Sequence, residues 1–137
     1  MRMTVKRGMA TEGLGAHLQR RIRSFGYALE GWWHVLRTQP NAWIHGLITT
    51  AVVGLAVWLR PTRLEWAVLV LTIMVVWMAE FFNTALEALV DLASPDYHPL
   101  AKSAKDIAAA AVLVGALGAV VVGLLILGPP LFEKIFG

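Results

Sequence analysis

The stretch Leu64–Asp91, LEWAVLVLTIMVVWMAEFFNTALEALVD, decides the fold class. From Trp66 to Ala79 only Thr72 breaks an apolar run, and the run then meets Glu80. The helical pattern continues past that acid through Phe81, Phe82, Ala85, Leu86, Leu89 and Val90, until Ser94-Pro95-Asp96 stops it. At 100° per residue, Glu80, Asn83, Glu87 and Asp91 fall within about 80° of arc and extend over about 16 Å of helix. Ionisable groups inside a membrane are expensive and face a bundle interior or a water-filled cleft. Three carboxylates and a carboxamide on one face are more polarity than helix packing needs, so the stripe reads as a functional site.

The rest of the chain agrees with lipid as the solvent. The 137 residues allow one domain. They are 58% hydrophobic and 15% charged, against about a quarter charged in a soluble domain. With no cysteine, a disulfide framework and a thiolate metal site are excluded. His17, His34, His45 and His98 show no metal-ligand spacing.

Two further hydrophobic spans flank the first, over residues 42–59 and about 106–127. Residues 42–59 give about 27 Å of helix, just enough to cross the hydrocarbon core. Gln39-Pro40-Asn41 precedes that span, with Pro40 placed to begin a helix. Arg60-Pro61-Thr62-Arg63 turns the chain into the central span, taken as 64–91. Residues 92–104 read as a polar loop, and Gly128-Pro129-Pro130 reads as the end of the third span. Residues 14–37 carry Leu18, Ile22, Phe25, Leu29, Trp32 and Leu36 at steps of three and four, with Arg20, Arg21 and Arg23 mostly off that stripe. This predicts an amphipathic helix suited to the membrane interface. Residues 1–13 show no periodicity and read as a disordered tail. The six tryptophans mostly fall near span ends, as an aromatic belt does.

Charge orients the chain. Seven of the twelve Lys and Arg residues precede residue 40. Beside membrane helices such a segment suits anionic lipid rather than nucleic acid. No apolar stretch follows the first basic residues, so no secretory leader is expected and the N-terminus is expected in the cytoplasm. Three crossings then put the 92–105 loop inside, with Lys102 and Lys105, and leave Arg60, Arg63 and Lys134 outside. The third span carries Ala111, Gly115, Ala119 and Gly123, a small residue every fourth position, which permits close helix approach. Three helices bury few of their own polar groups, so a homo-oligomer is expected.

Depth suggests roles. Glu80 lies deepest, and a carboxylate kept from water is tuned toward a general base. Glu87 and Asp91 lie nearer the cytoplasm, where oxygen ligands suit Mg²⁺. HPLAKSAKD, residues 98–106, adds Lys102 and Lys105 for phosphates, with Asp106 opening the third span. Acids for a metal beside lysines for phosphates point to phosphoryl transfer. No G-x-x-x-x-G-K-[ST] occurs, so a nucleotide site here is not a P-loop. A proton-coupled transporter with Glu80 as carrier is the alternative from another class. It leaves the other acids, Asn83 and the lysines without a use. His45 reads equally as a cleft residue or as a hydrogen-bonding group within the bundle.

EFFNTALEALVD, residues 80–91, resembles the hallmark E-x-x-N-[ST]-A-[IL]-E-x-x-x-D of the bacterial integral-membrane diacylglycerol kinase and undecaprenol kinase family. HPLAKSAKDIAAAAVL (98–113), RSFGYALEG (23–31) and TQPNAWIH (38–45) extend the resemblance over about residues 20–127. It implies a homotrimer in the bacterial plasma membrane, with active sites at the cytoplasmic interface, that phosphorylates a membrane lipid with ATP and Mg²⁺. By that resemblance Glu80 is the catalytic base and Asn83 shapes the site near the lipid. Glu87 is a Mg²⁺ ligand, and Asp91, Lys105 and Asp106 lie by the nucleotide. Arg20 and Tyr27 match surface-helix positions near lipid and nucleotide respectively. Gln39 stands where some members carry a second acidic metal ligand; its amide oxygen can bind Mg²⁺ without charge. Pro99 and the NAWIH stretch look more like the undecaprenol kinase branch than the diacylglycerol branch.

Overall fold

The computed structural model describes residues 14–137, and among them the chain forms four helices: α1 (Leu14–Thr38), α2 (Pro40–Leu59), α3 (Arg63–Ala93) and α4 (Pro99–Phe136). The tail expected over 1–13 lies outside the described residues. The chain divides into a leading unit that ends at His34 and a second, Val35–Gly137, which holds α2, α3 and α4.

Each helix boundary has a local cause. Gln39 is extended (φ −108°, ψ 109°), and Pro40 follows at the first helical position, where its missing N–H costs nothing. The Gln39 N–H still closes α1 on the Val35 carbonyl (2.9 Å). α2 ends at Arg60, whose φ of 56° and ψ of 56° are left-handed, a conformation that costs a non-glycine residue about 1 kcal/mol. Pro61 then prevents continuation. Thr62 and Glu65 form a reciprocal capping box at the head of α3: the Glu65 carboxylate accepts from the Thr62 N–H at 2.7 Å, and the Thr62 hydroxyl accepts from the Glu65 N–H at 3.4 Å.

Two boundaries differ from the sequence expectation. The polar loop expected over 92–104 is helical except at residues 94–98, because α3 runs on to Ala93 and α4 already starts at Pro99. His98 caps it, its Nδ1 accepting the Leu100 N–H at 3.2 Å, and Pro99 sits at the first position as Pro40 does in α2. Gly128-Pro129-Pro130 does not end the helix, which continues to Phe136. A proline inside a helix costs about 3 kcal/mol through its lost donor and its clash with the preceding turn. Contacts beyond the prolines act against that cost. Lys134 Nζ donates to the Trp58 carbonyl at 3.3 Å and lies 4.8 Å from the Trp58 ring centroid, and the Phe132 and Phe136 rings are 5.0 Å apart.

Three of the helices, α2, α3 and α4, are long and apolar enough to cross a membrane. Their exposed side chains include Leu47, Leu71, Leu117 and Leu125, the surface that a lipid-facing bundle presents. α3 packs along α4, and α2 touches both. One apolar contact joins all three through Ala56, Leu69 and Leu127, with Val52, Leu55, Leu59, Trp66 and Ile126 around it. Between helices in lipid the gain is close van der Waals packing, which explains an alanine at its centre. At two positions of the small-residue ridge, Gly115 and Gly123, a Cβ would meet nothing within 4 Å, so these glycines serve no close helix approach inside this bundle. The 31 residues of α3 make about 46 Å and the 38 of α4 about 57 Å, both longer than a hydrocarbon core of about 30 Å. They are consecutive and antiparallel, so the end of α3 and the start of α4 lie at the same end of the bundle. That end carries the polar stripe.

Candidate active site

Glu80 lies 17 residues beyond Arg63, about 26 Å along α3. It is fully buried, and Asn83 (5% exposed) and Thr84 are buried beside it. Thr84 satisfies its own hydroxyl on the Glu80 carbonyl at 2.9 Å. Both Glu80 carboxylate oxygens and Asn83 Oδ1 are buried with no hydrogen-bond partner among the described residues. A buried polar atom left unpaired is costly, so three such acceptor atoms in one place mark a site built for something other than stability.

Glu87 lies about two turns further along α3 and is held by two amides. Asn83 Nδ2 donates to its Oε1 at 3.0 Å, and Gln39 Nε2 donates to its Oε2 at 2.9 Å. The first bond is local, at i and i+4 on one helix face. The second crosses from the head of α2. Gln39 makes no side-chain cap bond to its own helix, which leaves its amide free for α3.

Asp91, one turn beyond Glu87 and exposed, pairs with Lys105 of α4 at 2.6 Å. Lys102 pairs with Asp106 one turn away on the same helix, and both are largely exposed. Gln39, Glu80, Asn83 and Glu87 therefore form one cluster, and Asp91 with Lys105 continues it toward the exposed end. Asp106 is engaged with Lys102. Arg20 and Tyr27 lie on α1, in the leading unit.

One further residue joins the cluster. His45 Nε2 of α2 lies 3.6 Å from Glu80 Oε2, with its side chain 12% exposed. Its ring meets Trp77 edge-on at 6.2 Å, and Trp77 Nε1 donates to Thr49 Oγ1 at 3.2 Å. The signal was present in the sequence: His45 is the sole ionisable residue between positions 42 and 59. Such a group inside a span needs a partner.

The cluster offers a buried carboxylate able to take a proton, and a second carboxylate clamped by amides next to a lysine. Mg²⁺ is usually held by one or two carboxylates, with phosphates and water supplying the remaining oxygens. Glu87 and Gln39 fit such an ion, provided that Gln39 turns its amide so that oxygen replaces nitrogen toward it. Asn83 Oδ1, on the same helix face as Glu87, is a further buried oxygen with no hydrogen-bond partner among the described residues.

Residues 26–127 match a family described as prokaryotic diacylglycerol kinase. A protein of Synechocystis sp. named diacylglycerol kinase is 47% identical over 111 residues, 80% of this chain. The match spans 63% of that relative, so the chain covers less than two-thirds of its length. A Bacillus subtilis protein named undecaprenol kinase is 40% identical over 114 residues, covering 83% of this chain and 93% of the relative. The diacylglycerol kinase of Escherichia coli is 34% identical over 107 residues, 73% of this chain and 82% of the relative.

Proposed function

The chain belongs to the prokaryotic diacylglycerol kinase family of lipid kinases, and on that premise we propose that it transfers the γ-phosphate of ATP to the hydroxyl of undecaprenol. The observation that carries this reading is Glu80, a fully buried carboxylate neither oxygen of which accepts a hydrogen bond from a described residue, close to an amide-clamped acid. Glu80 takes the proton of the lipid hydroxyl. The hydroxyl oxygen then bonds to the γ-phosphorus as the bond to the β–γ bridging oxygen breaks, giving undecaprenyl phosphate and ADP. Asn83 shapes the pocket around the lipid head. Lys105 neutralises the nucleotide phosphates in place of Asp91, its partner in the free chain, and both Asp91 and Asp106 stay beside the nucleotide. Glu87 and Gln39 would hold Mg²⁺, which when bound would neutralise charge on the phosphates.

The same reading puts α1 in the membrane interface, with Arg20 toward the lipid and Tyr27 toward the nucleotide. It puts the N-terminus and the site on the cytoplasmic side of a bacterial plasma membrane, which the bias of basic residues supports. It makes the assembly a homotrimer, for which the open space at Gly115 and Gly123 on α4 offers a contact surface.

Diacylglycerol is the second reading, favoured by the name of the 47% identical relative. Both lipids present a primary hydroxyl, so the chemistry is shared. Purified protein in mixed micelles with labelled ATP and Mg²⁺ separates the two. The proposal expects label in undecaprenyl phosphate at a higher kcat/KM than in phosphatidic acid. A preference for diacylglycerol moves the substrate assignment, and label in neither lipid overturns the kinase reading.

A further inference from the structure

A general base needs one carboxylate oxygen aimed at the hydroxyl, and the orientation must be held. The terminal torsion of a glutamate is broad and nearly two-fold, so the side chain does not fix its own carboxylate plane. Burial does not fix it either, because neither oxygen of Glu80 has a hydrogen-bond partner among the described residues. The polar atom that faces Oε2 is His45 Nε2, at 3.6 Å and likewise unpartnered. That distance is just beyond a hydrogen bond, and catalytic hydrogen bonds often shorten only when substrate is bound. The imidazole is itself held in place. Trp77, three residues before Glu80, lies against it and is anchored through Nε1 to Thr49, one turn after His45 on α2. Phe81 backs the same indole at 5.9 Å. A ring braced in this way is suited to orient a neighbour.

We propose that His45 is a positioning residue for Glu80: its Nε2–H holds Oε2 and leaves Oε1 for the lipid hydroxyl. The proposal rests on the lipid-kinase reading, in which Glu80 is the base. It assigns His45 a donor function that a purely space-filling core histidine does not have. Two substitutions separate these roles. His45→Phe keeps a ring of similar volume and removes the donor. His45→Gln removes the ring and keeps an N–H of similar reach.

The expected result is a kcat for His45→Phe that is lower by roughly 10- to 100-fold, the scale of a misplaced catalytic group, with the KM for ATP nearly unchanged. His45→Gln should recover most of that loss. Wild-type kcat in His45→Phe, or equal losses in both variants, would overturn the proposal. Histidine ¹⁵N NMR of the detergent-solubilised protein tests the contact without turnover. The His45 Nε2 resonance should move on Glu80→Gln, and an unmoved resonance also overturns the proposal. Wild-type protein that phosphorylates no lipid, with that resonance still moving, would instead count against the kinase reading and leave the contact standing.

Discussion

Gln39 Nε2 donates a 2.9 Å hydrogen bond to Glu87 Oε2 across 48 positions of sequence, and so ties the head of α2 to the polar stripe of α3. Together with Asn83 it gives Glu87 two amide donors in place of a cation. Gln39→Glu would set a second carboxylate against the first. Without Mg²⁺ the variant should melt at a lower temperature than the wild type, because like charges then face each other. With Mg²⁺ the difference should shrink, and half-maximal activity should need several-fold less Mg²⁺, roughly the gain from one added anionic ligand. A Mg²⁺ requirement equal to that of the wild type would remove Gln39 from the metal site.

Asp91 and Lys105 pair at 2.6 Å with both side chains at least a third exposed, and an exposed pair contributes little to stability. Lys105 can therefore exchange its carboxylate for a phosphate at small cost. Lys105→Met should raise the KM for ATP by roughly tenfold or more, the scale of a charged hydrogen bond lost. The melting temperature should scarcely move. Steady-state kinetics with varied ATP would show this, and an unchanged KM would exclude Lys105 from the nucleotide site.

The fold was legible where lipid dictates it. Apolar length found three spans, and the register of Glu80, Asn83, Glu87 and Asp91 found one face of α3, because both follow from helix geometry alone. The start of α4 is legible too, because Pro99 obeys the same rule as Pro40, but its polar neighbours read as a loop. The run through Pro129 and Pro130 was not legible, since the Lys134 contact with Trp58 joins residues far apart in sequence. The same limit applied to His45, where the sequence marked an ionisable group in a span but not the carboxylate facing it. Only the family resemblance brings Gln39 to the stripe, because its bond to Glu87 depends on how α2 and α3 pack.

The capping box at Thr62 and Glu65 lies at the end of the bundle away from the stripe. Thr62→Ala should lower stability by about 1 kcal/mol, the usual cost of a lost N-cap. Denaturation in detergent should detect that loss, while kcat stays at the wild-type value. A fall in kcat without a change in stability would show that this turn is coupled to the chemistry.

The central claim is that Glu80 removes the proton of the lipid hydroxyl. Glu80→Gln keeps the size of the side chain and removes its ability to accept that proton. The decisive measurement is kcat for labelled phosphate transfer to undecaprenol, taken on variant protein shown to bind ATP and to melt like the wild type. The account predicts a loss of about 10²- to 10⁴-fold, the usual share of a general base. Turnover within about threefold of wild type, far below that share, would contradict it.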